Sequence, residues 1–162
     1  MAKYAAGTQV SVEKSRAEIE RTLERYGANQ FSYARDDDLG KVCIQFSAKH
    51  RLIRFVLTLP KRDEKRFRWN RRGQMRSDDL AYREWEQACR ELWRALAIAI
   101  KAKLECVESG ISEFEDEFLA HIVLPDGKTA GEWLRPQIEQ AYLLESMPRS
   151  LLALPSPADY EQ

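Results

Sequence analysis

The stretch from Ser77 to Gly110 predicts one uninterrupted helix, and this element limits how the rest of the chain can fold. Ser77 offers a side-chain acceptor to the first unpaired N–H groups, and Asp78 and Asp79 place negative charge at the same end. No proline interrupts the stretch, and Gly110 is a natural stop. Apolar residues recur at helical spacing along it, at Ala81, Trp85, Ala88, Leu92, Leu96, Ala99, Ile100, Leu104 and Val107.

The expected length of this helix exceeds the expected size of the molecule. The helix should be about 48 Å long, whereas a compact chain of 162 residues has an expected diameter of about 40 Å. We therefore expect the helix to protrude, to bend or to pair with a copy of itself. A homo-oligomer formed through residues 77–110 is one consequence of that expectation.

The composition, with 44% apolar and 32% charged residues, is typical of a soluble globular protein. We expect a single α+β domain over residues 1–146, followed by a flexible tail over 147–162. No apolar run approaches the ~18 residues of a membrane helix, and the first residues do not resemble a signal peptide, so no membrane partner is expected. Three cysteines without a close Cys pair favour a reducing, cytoplasmic location.

The front of the chain predicts a helix followed by a three-stranded antiparallel meander. Residues 12–26 have helical periodicity, with Ser15 and Glu18 spaced as a capping box. The period then changes from 3.6 to 2, which predicts three short strands whose apolar residues are Phe31 and Tyr33, then Val42, Ile44 and Phe46, then Ile53, Phe55, Leu57 and Leu59. One face of this sheet is apolar, and the first helix and the long helix are expected to cover it.

Two shorter helices are expected after the long helix. Ser112 and Glu115 cap the first, and Thr129 and Glu132 cap the second. The last helix is expected to direct its apolar residues inward, namely Trp133, Leu134, Ile138, Ala141 and Tyr142.

The net charge of zero conceals a strong separation of sign along the chain. Residues 1–60 carry a net charge of +3, residues 61–76 carry +6, and residues 77–162 carry −9. A basic front and an acidic back indicate either an anionic partner or association of the chain with its own acidic half.

The basic segment 60–76 is the main functional signal and is expected to be an exposed loop, or a ribbon that extends the sheet. It interleaves cations with aromatic rings, a combination that neutralises phosphates and stacks on unpaired bases. We expect it to bind DNA or RNA through Lys61, Arg62, Lys65, Arg66, Phe67, Arg68, Trp69, Arg71, Arg72 and Arg76. Two other interpretations stay open: an acidic patch on a partner protein, or a solvated loop whose arginines pair with the acidic helices.

No catalytic or cofactor motif accompanies this segment, so we do not expect an enzyme. The sequence Gly127-Lys128-Thr129 resembles the end of a phosphate-binding loop, but the required glycine is replaced by Ile122 and no strand precedes it. Glu117 and His121 have a spacing that can hold a metal, but a side-chain contact within a helix explains them better. We therefore expect no metal and no cofactor.

Several segments resemble a family of small phage and prophage proteins. They are Tyr4-Ala-Ala-Gly-Thr8, Ser15-Arg-Ala-Glu-Ile-Glu20 and Arg25-Tyr-Gly-Ala28, together with Trp-Glu-Gln-Ala-Cys at 85–89, Lys-Ala-Lys-Leu-Glu at 101–105 and Glu-Phe-Leu-Ala-His-Ile-Val-Leu-Pro-Asp-Gly at 117–127. Members of that family have no established activity, so the resemblance implies a mobile-element setting and supplies no site. The order helix, three strands, helix is also similar to that of double-stranded RNA-binding domains and of single-strand annealing proteins, by analogy of fold alone.

Two functions follow as expectations. The first is a phage-type accessory protein that binds nucleic acid through the basic segment. The alternative is a protein–protein module that modulates a host or defence complex through the acidic helical half.

Overall fold

The computed structural model describes residues 5–145. In chain order its elements are helix α1 (Val12–Arg25), strands β1 (Phe31–Asp36), β2 (Lys41–Ala48) and β3 (Arg51–Thr58), short helix α2 (Lys65–Arg68), long helix α3 (Asp78–Glu108), short helix α4 (Phe114–Phe118), a 3-10 turn (Leu119–His121) and helix α5 (Ala130–Leu143). The predicted α+β class, with its antiparallel meander and long helix, is confirmed. The expected tail over 147–162 lies outside the described residues.

The chain forms two compact units, which we describe separately. The first ends at Phe118 and contains the sheet, α1, α2, α3 and α4, and the second begins at Leu119 and contains α5. The expectation of a single domain over residues 1–146 stays a prediction.

The sheet buries one face, as its alternating pattern predicts. Ile44 on the central strand pairs with Tyr33 on β1 and with Phe55 on β3, so these three side chains point to the same side. Helix α3 contacts this face because the Trp93 ring lies 5.8 Å from the Tyr33 ring. Helix α1 packs against α3, and the Phe118 ring of α4 lies 6.1 Å from the Phe46 ring of β2. The core of the first unit is therefore the space between the sheet and its helices.

The opposite face of the sheet is exposed to a large extent. Ala34, Cys43 and Val56 form one row across the three strands on this face. Val56 and the nearby Leu52 are both exposed. Within residues 5–145, helices thus cover only one face of the sheet, an arrangement that is common for an antiparallel sheet.

Helix α3 has the predicted extent but a different buried stripe. Ser77 is its N-cap, and the Ser77 side chain accepts a hydrogen bond from the Leu80 N–H. Its 31 residues give a length of about 46 Å. Ala81, Ile100 and Leu104 are buried as predicted, but Ala88, Leu92, Leu96 and Ala99 are not. The buried residues in the middle of the helix are instead Cys89, Trp93 and Ala97.

The reason is that α3 has apolar side chains on two adjacent stripes, so periodicity alone cannot choose between them. Burial of the large Trp93 ring against the sheet decides which stripe faces inward. None of the helices between residues 5 and 145 combines the length and the apolar character needed to cross a membrane.

Helix α1 begins one turn before the predicted capping box. Ser11 is the N-cap, and its side chain accepts a hydrogen bond from the Lys14 N–H. Ser15 is instead fully buried inside the helix, where its small side chain lies on the same face as Ile19 and Leu23. Residues 5–10 contact α3: the Gly7 N–H donates to Glu91, and the Gln87 side chain donates to the Thr8 carbonyl.

The second unit confirms the predicted cap of α5 but not its orientation. Thr129 and Glu132 form the complete capping box. The expectation that the apolar residues of α5 face inward was wrong, since Trp133, Ile138 and Tyr142 are exposed. The described part of this unit is one helix and a tight turn, which is too little structure to bury both sides of a helix.

The turn between β2 and β3 uses an unfavourable backbone conformation. Ala48 pairs with Arg51, so Lys49 and His50 form a two-residue turn, and both have positive φ, of 49° and 62°. This is the type I′ combination, for which Asn-Gly is preferred because other L-residues are strained there.

We expect the double substitution Lys49→Asn, His50→Gly to raise the free energy of unfolding by about 1 kcal/mol, because it relieves this strain. Chemical denaturation monitored by circular dichroism measures the change. His50→Ala is the control: it removes the same side chain but keeps the strained φ, so it should not stabilise the protein. If the double variant were no more stable than the parent, the assignment of backbone strain to Lys49 and His50 would be contradicted.

Candidate nucleic-acid interface

The basic segment 60–76 is folded rather than a plain loop. It contains the short helix α2, and after α2 the chain forms a tight hairpin in which Trp69 pairs with Met75. We call residues 69–76 the basic hairpin. The predicted exposed loop is therefore corrected to a helical turn and a hairpin, the second of which agrees with the ribbon alternative.

Asn70 fixes the tip of the basic hairpin. Its side-chain oxygen accepts hydrogen bonds from the N–H groups of Arg72 and Gln74, each at 2.9 Å. Its side-chain amide donates to the Gln74 side chain at 3.0 Å. Gly73 has a φ of 74°, which the turn needs and which glycine adopts without strain. The tip therefore has a defined backbone that holds Arg71 and Arg72 in solvent.

Arg76 closes the base of the basic hairpin from inside. Its Nη1 donates to the carbonyl oxygens of Arg66 at 3.0 Å, Phe67 at 3.2 Å and Trp69 at 2.7 Å. These carbonyls end helix α2, where backbone acceptors have no helical partner. Arg76 therefore contributes to the structure of the hairpin, and its predicted role in phosphate binding stays a prediction.

Phe67 and two neighbouring arginines are also engaged within the chain. The Phe67 ring is only 4% exposed, so the predicted stacking of this ring on a base is corrected: it belongs to the core. Arg66 pairs with Glu64 at 2.7 Å and lies over the Phe67 ring. Arg68 pairs with Asp78 at 2.6 Å, at the start of α3. Both ion pairs are exposed to solvent and are therefore weak. Each carboxylate orients its arginine, but the arginine can exchange it for another anion at little energetic cost.

Five of the ten predicted residues have an exposed side chain that makes no hydrogen bond or ion pair with residues 5–145. The exposed Trp69 ring is 47% accessible. Among residues 5–145 no acceptor or carboxylate engages the side chains of Lys61, Lys65, Arg71 and Arg72. Arg62 is exposed as a whole but stacks over two rings, at 4.3 Å from the Trp85 centroid and 5.1 Å from the Tyr82 centroid.

The fold places three further arginines beside Arg62 that the sequence did not indicate. Arg16 of α1, Arg35 of β1 and Arg90 of α3 line one cleft with it. Each lies in a segment of mixed charge, and the four are distant in the sequence, so no local pattern predicts their proximity. Only the packing of α1 and α3 on the sheet brings them together.

Cys89 lies in the wall of the same cleft and is not a nucleophile at neutral pH. Burial raises the pKa of the Cys89 thiol from 9.0 to about 11, in spite of the opposing positive charges of Arg35, Arg62 and Arg90. Within the described part of the chain, no group of three or more His, Cys, Asp or Glu side chains is placed to hold a metal ion.

No protein-family model, no curated protein and no solved structure matches this chain. The resemblance to a phage family therefore stays a prediction. The function of the candidate site is therefore inferred from its geometry and charge.

The hydrogen bonds of Arg76 give a stability prediction. Arg76→Ala should lower the free energy of unfolding by about 1–2 kcal/mol, because it leaves three carbonyl groups at the end of α2 without their donor. Urea denaturation measures the loss. Arg72→Ala is the matched control, with the same charge change on an exposed side chain, and should change stability by less than about 0.5 kcal/mol. If both substitutions lowered the free energy of unfolding equally, the structural role of Arg76 would be contradicted.

The pKa of Cys89 predicts a loss of stability in alkaline solution. The folded state keeps a proton that the unfolded state releases above pH 9.0, so the free energy of unfolding should fall as the pH rises from 9.0 towards about 11. The expected contribution is about 3 kcal/mol. Cys89→Ala should lose this component, and the comparison of the two proteins from pH 8 to pH 11 isolates it from other titrating groups. Identical pH profiles would contradict the buried thiol.

Proposed function

We propose that this protein is a phage-type accessory protein that binds nucleic acid through the basic hairpin. One observation supports the proposal most: hydrogen bonds to the Asn70 side chain hold the backbone of the hairpin tip, which places Arg71 and Arg72 in solvent, where neither side chain has an acceptor among residues 5–145. A preordered cationic tip loses little conformational entropy on binding, which favours contact with phosphates. The proposed role is binding rather than catalysis.

The proposed interface is smaller than the predicted segment. It consists of the exposed side chains of Lys61, Lys65, Trp69, Arg71 and Arg72, with Arg66 and Arg68 at its edge. Arginine binds phosphate oxygens in a bidentate manner, and an exposed tryptophan stacks on an unpaired base. The presence of Trp69 favours single-stranded nucleic acid, or a duplex with unpaired bases, over a regular duplex.

We expect the variant Arg71→Ala, Arg72→Ala to bind a labelled single-stranded oligonucleotide at least about ten-fold more weakly than the parent, because two phosphate contacts are lost. The slope of log K against log salt should fall by about 1.4, at roughly 0.7 for each contact. Fluorescence anisotropy between 50 and 200 mM salt measures both quantities. DNA and RNA, single-stranded and duplex, are compared in the same series.

The matched control is Arg21→Ala, Arg25→Ala, which removes two exposed arginines from α1 and so changes the net charge equally. If both double variants weaken binding to the same degree, the effect is one of net charge and the hairpin is not the site. If the parent protein binds none of these nucleic acids at low salt, the proposal fails. The alternative, a protein partner of the acidic half, would then be preferred.

A further inference from the structure

A cleft in the first unit, separate from the basic hairpin, has the size and chemistry of a small-ligand site. It has a volume of about 330 Å³ and lies where α1, β1, the end of β3 and α3 meet. Ligand pockets range from about 300 to about 1,000 Å³, so this cleft suits a ligand no larger than one nucleotide.

Positive charge dominates the lining of the cleft. Four arginines face two carboxylates, those of Glu13 and Glu86, so the lining side chains carry a net charge of +2. Arg90 is partly satisfied, since it lies 3.6 Å from Glu86 and donates to Gln87. Arg35 is paired with Asp37, 2.5 Å away, outside the cleft lining; counting that carboxylate still leaves a net charge of +1.

Arg16 and Arg62 differ from the other two arginines because aromatic rings, not carboxylates, hold them. The Arg16 guanidinium lies 3.8 Å from the centroid of the Tyr33 ring. The Arg62 guanidinium lies 4.3 Å from the centroid of the Trp85 ring. Among residues 5–145 neither side chain has a hydrogen-bond acceptor, and the Arg16 Nε is buried without one. Stacking on a ring fixes the plane of a guanidinium and leaves its N–H donors available.

Aromatic surface completes the site. Tyr33, Tyr82, Trp85 and Trp93 all line the cleft. The Trp85 ring is held in position because its Nε1–H donates to the Pro60 carbonyl at 2.8 Å. Arg16 covers one face of the Tyr33 ring, Arg62 covers one face of the Trp85 ring, and Trp93 is buried. The stacking surface open to a ligand is therefore the exposed Tyr82 ring and the outer face of each stacked guanidinium, while the guanidinium N–H donors are available to an attached anion.

We propose that this cleft, formed by Arg16, Arg35, Arg62, Arg90, Tyr33 and Trp85, binds a nucleoside monophosphate. The phosphate lies between Arg16 and Arg62, and the base lies against the aromatic side chains. The same chemistry is presented by a free nucleotide and by the 5′-phosphorylated end of a strand. The inference goes beyond the proposed function, because a mononucleotide would bind here even if the hairpin bound no strand.

The strand-end source rests on the proposed function and is consistent with the positions of the two sites on α3. Arg68, which immediately precedes the basic hairpin, pairs with Asp78, and Trp85 lies seven residues further along the same helix, a rise of about 11 Å. A strand whose end occupies the cleft could therefore reach the hairpin within a few nucleotides.

The test uses the intrinsic fluorescence of Trp85 and Trp93, titrated with purine and pyrimidine nucleoside monophosphates, and isothermal titration calorimetry. We expect saturable binding with one site per chain. Arg62→Gln should weaken it by at least about ten-fold, because a hydrogen bond to the charged phosphate is lost. Arg16→Gln is the second variant, and circular dichroism verifies that each variant is folded. Arg83→Gln is the matched control, because this exposed arginine of α3 loses the same charge but does not line the cleft.

Three results would overturn the proposal. They are the absence of binding by any nucleoside monophosphate at millimolar concentration, equal weakening by Arg62→Gln and Arg83→Gln, and binding of inorganic phosphate as tight as that of the nucleotides. Competition by 5′-phosphorylated but not 5′-hydroxyl oligonucleotides would identify the strand end as the source, and competition by free nucleotide alone would identify the free ligand.

The two proposals fail separately in this design. Arg71→Ala, Arg72→Ala should bind mononucleotides with the affinity of the parent, while it loses affinity for strands. A protein that binds strands but no mononucleotide would overturn the cleft site and leave the hairpin site intact.

Discussion

Burial of one face of the three-stranded sheet is the constraint on which the rest of the first unit depends. Tyr33, Ile44 and Phe55 point to one side of the sheet and must be removed from water. Trp93 meets the Tyr33 ring, which fixes the rotation of α3 about its axis. That rotation in turn places Trp85, Cys89 and Arg90 toward α1 and β1, so the cleft is a direct consequence of how the core is packed.

Four of the arginines between residues 5 and 145 illustrate four physical states, and the state of each decides what it can do. Arg76 is bound to backbone carbonyls and stabilises the fold. Arg68 is held by an exposed carboxylate, an arrangement that costs little to rearrange. Arg62 is oriented by rings with its donors uncommitted, and Arg71 is held in solvent by a rigid turn. Charge density alone, which the sequence shows, does not distinguish these states.

Much of the fold could be predicted from the sequence because local rules determine it. The meander follows from alternation at Val42, Ile44 and Phe46, and the cap of α5 follows from the spacing of Thr129 and Glu132. The buried stripe of α3 could not be predicted, because the choice between Leu92 and Trp93 depends on the sheet, which is distant in sequence. Burial of Phe67 escaped prediction for the same reason: a single apolar ring among cations has no periodicity.

The candidate site shows the same division between local and long-range information. The tip of the basic hairpin lies within one short segment, so composition indicated it, but the cleft combines Arg16, Arg35, Arg62 and Arg90 from four separate segments. A cation that rests on an aromatic ring has already lost most of its hydration on one side and much of its rotational freedom. Binding of an anion to such a cation therefore costs less free energy of reorganisation than binding to a cation whose existing ion pair must first be broken. The ring-held Arg62 is for that reason the side chain on which the chemistry of the cleft depends.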